Sequence, residues 1–438
     1  MKTTLEDVSS VQKKLKIEVP ADVVAQARME AVQDLQKKVK VEGFRPGKVP
    51  PNIIEQRFAH EVQHETVEKV VDLTLAKAFK EAKVYPISRP EITPGLFAGT
   101  GGMSYTATFD VLPAIPITEK DYKGLKLEKT EIEVTKEEVE SELTRLQKAM
   151  TQLEPSPAET VLVKGLVVVI DFKGTAEGKS FKGGEAKDYV IEFGDGEMLG
   201  DFEKGIEGAK AGEVRKISFD YPKDYFNKEL AGKKAHFDIT VKEIRTKNVP
   251  KLDDDFAKDL GQYKTLEDVK VDLEKRIIAA KEGHQKGELF NQILKQLIDK
   301  IKFEAPQSLI TAELRHMLEQ FAQEIQKRGQ KLEDVKVEEV LKEFQPEAEN
   351  RVRGFLILDK IVEEVKLEAT DKELENRLES MAKQARKPLA EVRAHYEKNN
   401  LLGSLKNCIL HEKSLEFVLN EAKIKVVKPK NDKKRPQK

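Results

Sequence analysis

Three groups of residues have types and spacings that could do chemistry. The first is His60-Glu61-Val62-Gln63-His64. On a helix it sets two imidazoles one turn apart with a carboxylate beside them, the ligand pair and general base of zinc hydrolases. The same face continues through Val67, Val71, Leu75 and Ala78, which predicts that the histidines open a packed stripe, and no third ligand is assured, Glu81 being the conceivable one. We therefore expect no metal here. The second group, Gly194-Asp195-Gly196-Glu197-Met198-Leu199-Gly200, has a faint likeness to a dinucleotide glycine loop. Its spacing is wrong, and the stretch after Gly200 is too short for a βαβ crossover.

The third group is apolar: Phe172, Phe181, Tyr189, Ile191, Met198, Leu199, Phe202, Tyr225 and Phe237. The chemistry open to such a set is non-covalent. Rotation about an X-Pro bond faces a barrier of about 18–20 kcal/mol, because the planar amide must lose its resonance. A dry pocket that favours the twisted amide needs no nucleophile, metal or cofactor, and each gain of about 1.36 kcal/mol is tenfold in rate. Composition agrees with apolar rather than hydrogen-bonding aromatic chemistry: there is no Trp, and Phe outnumbers Tyr 19 to 8.

The elements that must position these groups belong to a chain long enough for about three domains at 438 residues. Charged residues make up 35%, with 77 basic against 78 acidic, so any attraction to a polyanion must be local. A single cysteine, Cys408, excludes an internal disulfide framework and fits a reducing compartment. Residues 1–10 lack an apolar signal core, and no apolar run approaches the ~20 residues that span a bilayer. We expect a cytoplasmic protein with no membrane partner.

The first 112 residues read as α+β, with alternating strands at 14–19 and 104–112 and helices at 21–40 and 51–82. Between the helices, Gly43-Phe44-Arg45-Pro46-Gly47-Lys48-Val49-Pro50 cannot continue a helix and reads as the tip of a hairpin. A Pro-punctuated segment at 112–116 leads to a strand at 125–134 and a helix at 136–150, opened by the capping box of Thr135 and Glu138. Glu154-Pro155-Ser156-Pro157 marks a second boundary. Residues 158–246 are Gly-rich with short strands at 166–172, 189–193, 213–221 and 235–244. From Pro250 the pattern is helical, with long stretches at 265–302, 307–328 and 346–367, and residues 423–438, with eight basic side chains against one acidic, read as a disordered tail.

The hairpin tip is locally basic: Lys37, Lys38, Lys40, Arg45 and Lys48 face only Glu42. Such a tip can meet RNA phosphates or an acidic protein surface, while Phe44 and Val49 can bury apolar area on docking. The segment from Gly43 to Pro50 closely resembles the ribosome-docking signature of the trigger factor family, with Pro46 where that family usually has a basic residue. The middle stretch resembles FKBP-type prolyl isomerases through Val169-Ile170-Asp171-Phe172-Lys173-Gly174, Gly178-Lys179-Ser180-Phe181, Phe193-Gly194, Phe202-Glu203-Lys204-Gly205-Ile206, Ala211-Gly212-Glu213 and His236-Phe237-Asp238-Ile239. Val249-Pro250-Lys251-Leu252 resembles the trigger factor exit from that domain.

The resemblance implies an α+β multidomain protein: a ribosome-binding domain over residues 1–112, a linker strand and helix at 113–150 packing with the C-terminal domain, and an FKBP-like domain with a short helix at 151–246. An all-α chaperone domain with arms at 247–428 and a basic tail at 429–438 would complete the chain. It implies that Phe202 floors the pocket where many FKBPs carry Trp, that Phe172, Phe181 and Phe237 wall it, and that Met198 and Leu199 lie beside the proline ring. The Leu199 amide would donate to a substrate carbonyl and Tyr225 would offer its hydroxyl; Lys182 stands where many relatives are acidic. Its partners would be the large ribosomal subunit near the exit tunnel, protein and RNA, and nascent or unfolded chains, with a homodimer allowed away from the ribosome. Met317, Leu318, Phe321, Phe355 and Leu356 are the candidate client contacts, and no cofactor is implied.

Overall fold

The computed structural model of the chain describes residues 1–45, 47–97, 101–196, 198, 200–222, 230–328 and 336–428, without the side chains of Leu96, Phe97 and Lys182. It forms two compact units, residues 1–130 with 285–438, and residues 131–284.

The first unit opens with strands β1 (Lys2–Asp7) and β2 (Gln12–Val19), helices α1 (Ala21–Lys38), α2 (Pro51–Arg57) and α3 (Ala59–Ala82), then β3 (Glu91–Phe97) and β4 (Met103–Asp110). In β2, Leu15, Ile17 and Val19 are buried while Lys14, Lys16 and Glu18 are exposed, so one face of the antiparallel sheet β1-β2-β4-β3 carries the core. Buried stripes on α1 and α3 cover that face, around Tyr105, Ala107 and Phe109. Inside it the Tyr105 hydroxyl lies 2.7 Å from Thr74 Oγ1, which donates to the Val70 carbonyl, and burial pushes the Tyr105 phenol above its ordinary pKa.

The helix expected over 51–82 is two helices, broken at Phe58 (φ −122°, ψ 37°), whose ring packs into a small core at the hairpin tip. Neither β1 nor β3 was expected. Lys2-Thr3-Thr4-Leu5-Glu6-Asp7 has no apolar alternation and is a strand through its pairing with β2, and β3 carries Pro94 and Gly95, which an edge strand tolerates.

After α4 (Glu119–Tyr122) and β5 (Lys126–Thr130), the second unit comprises α5 (Lys136–Ala149), β6 (Gln152–Pro155), β7 (Val167–Ala176), β8 (Lys179–Glu192), α6 (Gly200–Ile206), β9 (Val214–Asp220), β10 (Lys234–Asn248) and α7 (Asp254–Asp259), with the start of α8 (Leu266–Lys300). The capping box at Thr135 and Glu138 is formed. The long β10 pairs with β6, β7 and β9, and β8 lies beyond β7. Glu154 and Pro155, read from the sequence as marking a boundary, lie in β6, paired with Thr246 and Arg245. A second core joins Leu143 of α5 to Phe256, Val269 and Leu273.

The remainder of the first unit is α9 (Gln307–Lys327), α10 (Val337–Val365), α11 (Asp371–Ala385), α12 (Leu389–Lys398), α13 (Leu402–Asn420) and β11 (Lys423–Val427). α10 begins nine residues before the stretch expected at 346 and runs through Pro346. Its Ile357 and Ile361 meet Leu289, Ile293, Leu297 and Val418, together with Tyr122 and Leu127. Residues 423–427, expected to be disordered, pair in parallel with β5. The other edge of β5 is satisfied by glutamines of α8: Gln292 exchanges bonds of 2.9 Å with both backbone groups of Glu128, and Gln296 donates to Lys126 O at 2.8 Å. At the start of α9 the N-cap is Pro306, and the buried Asp110 of β4 accepts the Ser308 N–H at 3.0 Å in place of a local cap. The tail 429–438 lies outside the described residues.

Candidate functional site

Four rings of the second unit, Phe172, Phe181, Phe202 and Phe219, converge on Phe237 of β10. Its ring centroid lies 6.0 Å from Phe172, 6.1 Å from Phe181 and 5.6 Å from Phe202, and it stacks on Phe219 at 5.6 Å with the planes 2° apart. Phe172 of β7 in turn meets Tyr189 of β8 edge-on at 5.8 Å and Phe202 at 6.2 Å. Burial is graded. Phe202, Phe237 and Ile191 are buried, Phe172, Phe181 and Met198 are half-buried, and Tyr189 is 43% exposed. A closed floor with walls that rise toward water is the arrangement that could take a proline ring into a dry slot.

Two glycines make the floor possible. A Cβ on Gly174 would sit 2.3 Å from Phe237 Cε1, so only a bare backbone in β7 leaves the ring its place. A Cβ on Gly205 would sit 2.3 Å from Ile217 Cγ2, so the glycine lets α6 lie close on β9 and carry Phe202 inward. Sequence reasoning missed Phe219 and Tyr221, which back the pocket at 5.3 Å from each other, with Tyr221 6.4 Å from Phe181. The alternation of Ile217, Phe219 and Tyr221 along β9 and just beyond it was the available signal. Leu199, Tyr225 and the Lys182 side chain lie outside the described residues.

At the hairpin tip the loop after α1 is built rather than slack. Gly43 and Gly47 take φ of 87° and 78°, which suits glycine, Lys48 N–H bonds to Arg45 O at 2.9 Å, and Gln36 donates to Val49 O at 2.6 Å. Val49 is fully buried with Val32, Leu35, Val41, Ile54 and Val62. The expectation that it buries apolar area on docking is therefore corrected: it anchors the loop, and Phe44, 39% exposed, is the apolar side chain on offer. Lys37 and Lys38 are paired with Asp34 and Glu65 on the hairpin itself, and hydrogen bonds from Lys69 and Lys37 hold the Asp34 carboxyl at about 2. Lys40, Arg45 and Lys48 are exposed, with no ion pair among the described residues. Pro46 lies outside them.

The histidine motif lies on α3, but His60 and His64 are exposed rather than part of the packed stripe, which runs through Val62, Thr66, Val70, Thr74 and Ala78. Val67, Val71 and Leu75 flank that stripe half-buried. No group of three or more His, Cys, Asp or Glu side chains able to hold a metal occurs among the described residues. Of the expected client contacts, Met317 and Leu356 are core residues between α9 and α10 and offer no surface. Leu318 and Phe321 are half-buried, with Phe321 edge-on to Phe344 at 5.6 Å, and Phe355 is 46% exposed and stacked on His411. No described helix is long and apolar enough to cross a membrane.

Three family models match successive stretches of the chain. Residues 1–146 match the family model described as bacterial trigger factor protein, residues 159–242 that of FKBP-type peptidyl-prolyl cis-trans isomerase, and residues 265–420 that of the trigger factor C-terminus. The trigger factor of Halothermothrix orenii is 34% identical over 96% of this chain and 99% of its own. That of Geotalea daltonii is 33% identical over 98% and 99%. A solved structure from work on promiscuous substrate recognition in folding and assembly by the trigger factor chaperone covers 96% of this chain and 100% of its own at a TM-score of 0.52 and 21% identity, so the fold is shared. With a third of its residues kept over nearly its whole length and an isomerase domain carried between the two family-specific parts, this chain belongs to the trigger factor family of chaperones with an FKBP-type prolyl isomerase domain.

Proposed function

We propose that the protein works in the cytoplasm as a ribosome-bound chaperone: the hairpin tip docks it on the large subunit beside the exit tunnel, the helical part holds emerging chains, and the aromatic pocket isomerises their X-Pro bonds. The observation that carries the reading is the state of the tip. Among the described residues Lys40, Arg45 and Lys48 have no ion pair, and they stand beside exposed Phe44 on a loop fixed by buried Val49, so engaging these three breaks no internal ion pair and orders little new chain. Phosphate or acidic side chains would meet the cations, and Phe44 would bury its ring.

Pelleting with ribosomes at moderate salt tests it. The wild type should co-sediment with large subunits and lose binding as salt rises, and a triple change of Phe44, Arg45 and Pro46 to Ala should stay in the supernatant. Equal pelleting of both proteins refutes the assignment of the tip. For the pocket, Phe202→Ala and Phe237→Ala should abolish proline-limited refolding catalysis, and unchanged rates in both overturn it. For holding, the chain lacking residues 151–246 should still suppress aggregation of a refolding client.

A further inference from the structure

Strand β8 changes which of its residues face the core. Gly184 is buried and Ala186 half-buried, with Glu185 and Lys187 exposed, whereas further on Ile191 and Phe193 are buried and Val190 is 50% exposed. Side chains alternate strictly along a strand, so the inward parity can change only where a residue is inserted. The insertion lies opposite Asp171: the register passes from Ile170↔Tyr189 to Phe172↔Ala186, two steps on β7 against three on β8. On the other side of β7, Val241↔Ile170 is followed by Glu243↔Val169, which leaves Lys242 as the extra residue of β10.

The two bulges are tied together. Asp188, in the first, takes φ 53°, a left-handed conformation that costs a side-chain-bearing residue free energy, and its N–H donates to Asp171 Oδ1 at 2.7 Å. Lys242, in the second, pairs with the Asp188 carboxylate and lies 3.7 Å from Asp171 Oδ1. The hydrogen bond to Asp188 holds the Lys242 ammonium above its ordinary pKa. All three side chains are substantially exposed, so their pairing adds little to global stability. What it fixes is geometry, because the residue directly after the insertion is Tyr189, edge-on to Phe172.

We propose that Asp171, acting with Lys242 and Asp188, is a positioning residue for prolyl isomerisation: it clamps the paired bulges on either side of β7 and thereby holds Tyr189 on the pocket wall. This rests on the pocket assignment made above. The test uses the full chain, protease-free exchange measurements on a proline peptide, and the Phe172–Tyr189 ring contact followed by NMR in selectively labelled protein. Asp171→Ala should lower kcat/KM about tenfold, less than the roughly hundredfold that a full ångström of misplacement can cost, with loss of the ring contact and little change in melting temperature. Asp171→Ala with Asp188→Gly should recover most of the activity, since glycine takes a positive φ at no steric cost, and Lys242→Arg should retain it.

A wild-type kcat/KM in Asp171→Ala overturns the proposal, and so does a double variant as slow as the single one. Should Asp171→Ala fail to fold, Lys242→Met carries the test: it removes no backbone partner, a smaller loss is expected, and a wild-type value overturns the proposal. Phe237→Ala, measured alongside, separates the two readings. If it inactivates while the Asp171 and Lys242 variants do not, only the clamp fails; if it too is active, the pocket itself is misassigned.

Discussion

Replacing Gly174 by alanine adds one methyl group against Phe237, at the floor of the aromatic cluster proposed as the isomerase pocket, and changes nothing else by design. The position is not among those with positive φ, so the backbone accepts alanine and the whole effect is steric. The new Cβ would lie 2.3, 2.6 and 2.7 Å from Cε1, Cδ1 and Cζ of Phe237, where ordinary contacts are 3.4–4 Å. The ring must retreat by about an ångström, yet Phe219 is stacked on it and Phe172, Phe181 and Phe202 pack around it. Overpacking of this kind costs about 1–3 kcal/mol. In a domain of this size each kcal/mol lowers the melting point by roughly 4–8 °C. A floor moved by that distance should also slow catalysis by up to about a hundredfold. The assay is kcat/KM for cis/trans exchange of a proline peptide, with the domain's thermal transition measured in the same samples. Wild-type kcat/KM with an unshifted transition would refute the claim that the Phe237 ring position sets the pocket.

Thr74→Val leaves the buried Tyr105 hydroxyl without its acceptor and should cost about 1–3 kcal/mol in urea unfolding, whereas Thr74→Val with Tyr105→Phe should cost less than the single change; a larger loss in the double variant contradicts the pairing. Asp110→Ala removes the cap that α9 takes from the N-terminal sheet and should lower protection of Ser308 and Leu309 in hydrogen exchange by about 0.5–2 kcal/mol, with unchanged protection as the opposing result. The Glu373 carboxyl is held at about 2 rather than 4.5, first by its hydrogen bond from Lys413 and next by the Thr370 N–H. Its folded pKa is depressed, so its stabilising contribution is present above pH 4.5 and lost as pH falls toward 2. Glu373→Gln should therefore weaken exchange protection in α11 at neutral pH and match the wild type near pH 2; a difference that persists in acid speaks against the ion pair.

Where a physical rule acts on neighbouring residues, the sequence carries it openly. The alternation in β2, the capping box at Thr135 and the glycine and proline punctuation of the hairpin tip all produce the element they suggest. The ring contacts around Phe237 join residues that the Gly-rich β segment brings together, and the resemblance to a known frame had singled out Phe172, Phe181, Phe202 and Phe237 among them. What stayed hidden depends on partners distant in the chain. β1 is a strand only through β2, and β11 looks like a charged tail until β5 lies beside it. Val49 reads as an exposed loop residue because nothing nearby in sequence shows that Val32, Leu35 and Val62 enclose it. The exposed histidines fail in the opposite sense, since Val62 rather than His60 or His64 leads the buried stripe of α3.

Pairing β5 with β11 joins residues about 300 positions apart, Lys126 to Lys423 at one end and Thr130 to Val427 at the other. At a translation rate of about 5–20 residues per second, the earlier strand waits roughly 15–60 s for its mate to be synthesised. Tyr122, Leu125 and Leu127 finish among leucines and isoleucines of α8 and α10 together with Leu415 and Val418, and lack the last two until close to the end of that interval, while the aromatic cluster around Phe237 can be complete long before. A member of a chaperone family thus emerges with an unfinished core of its own.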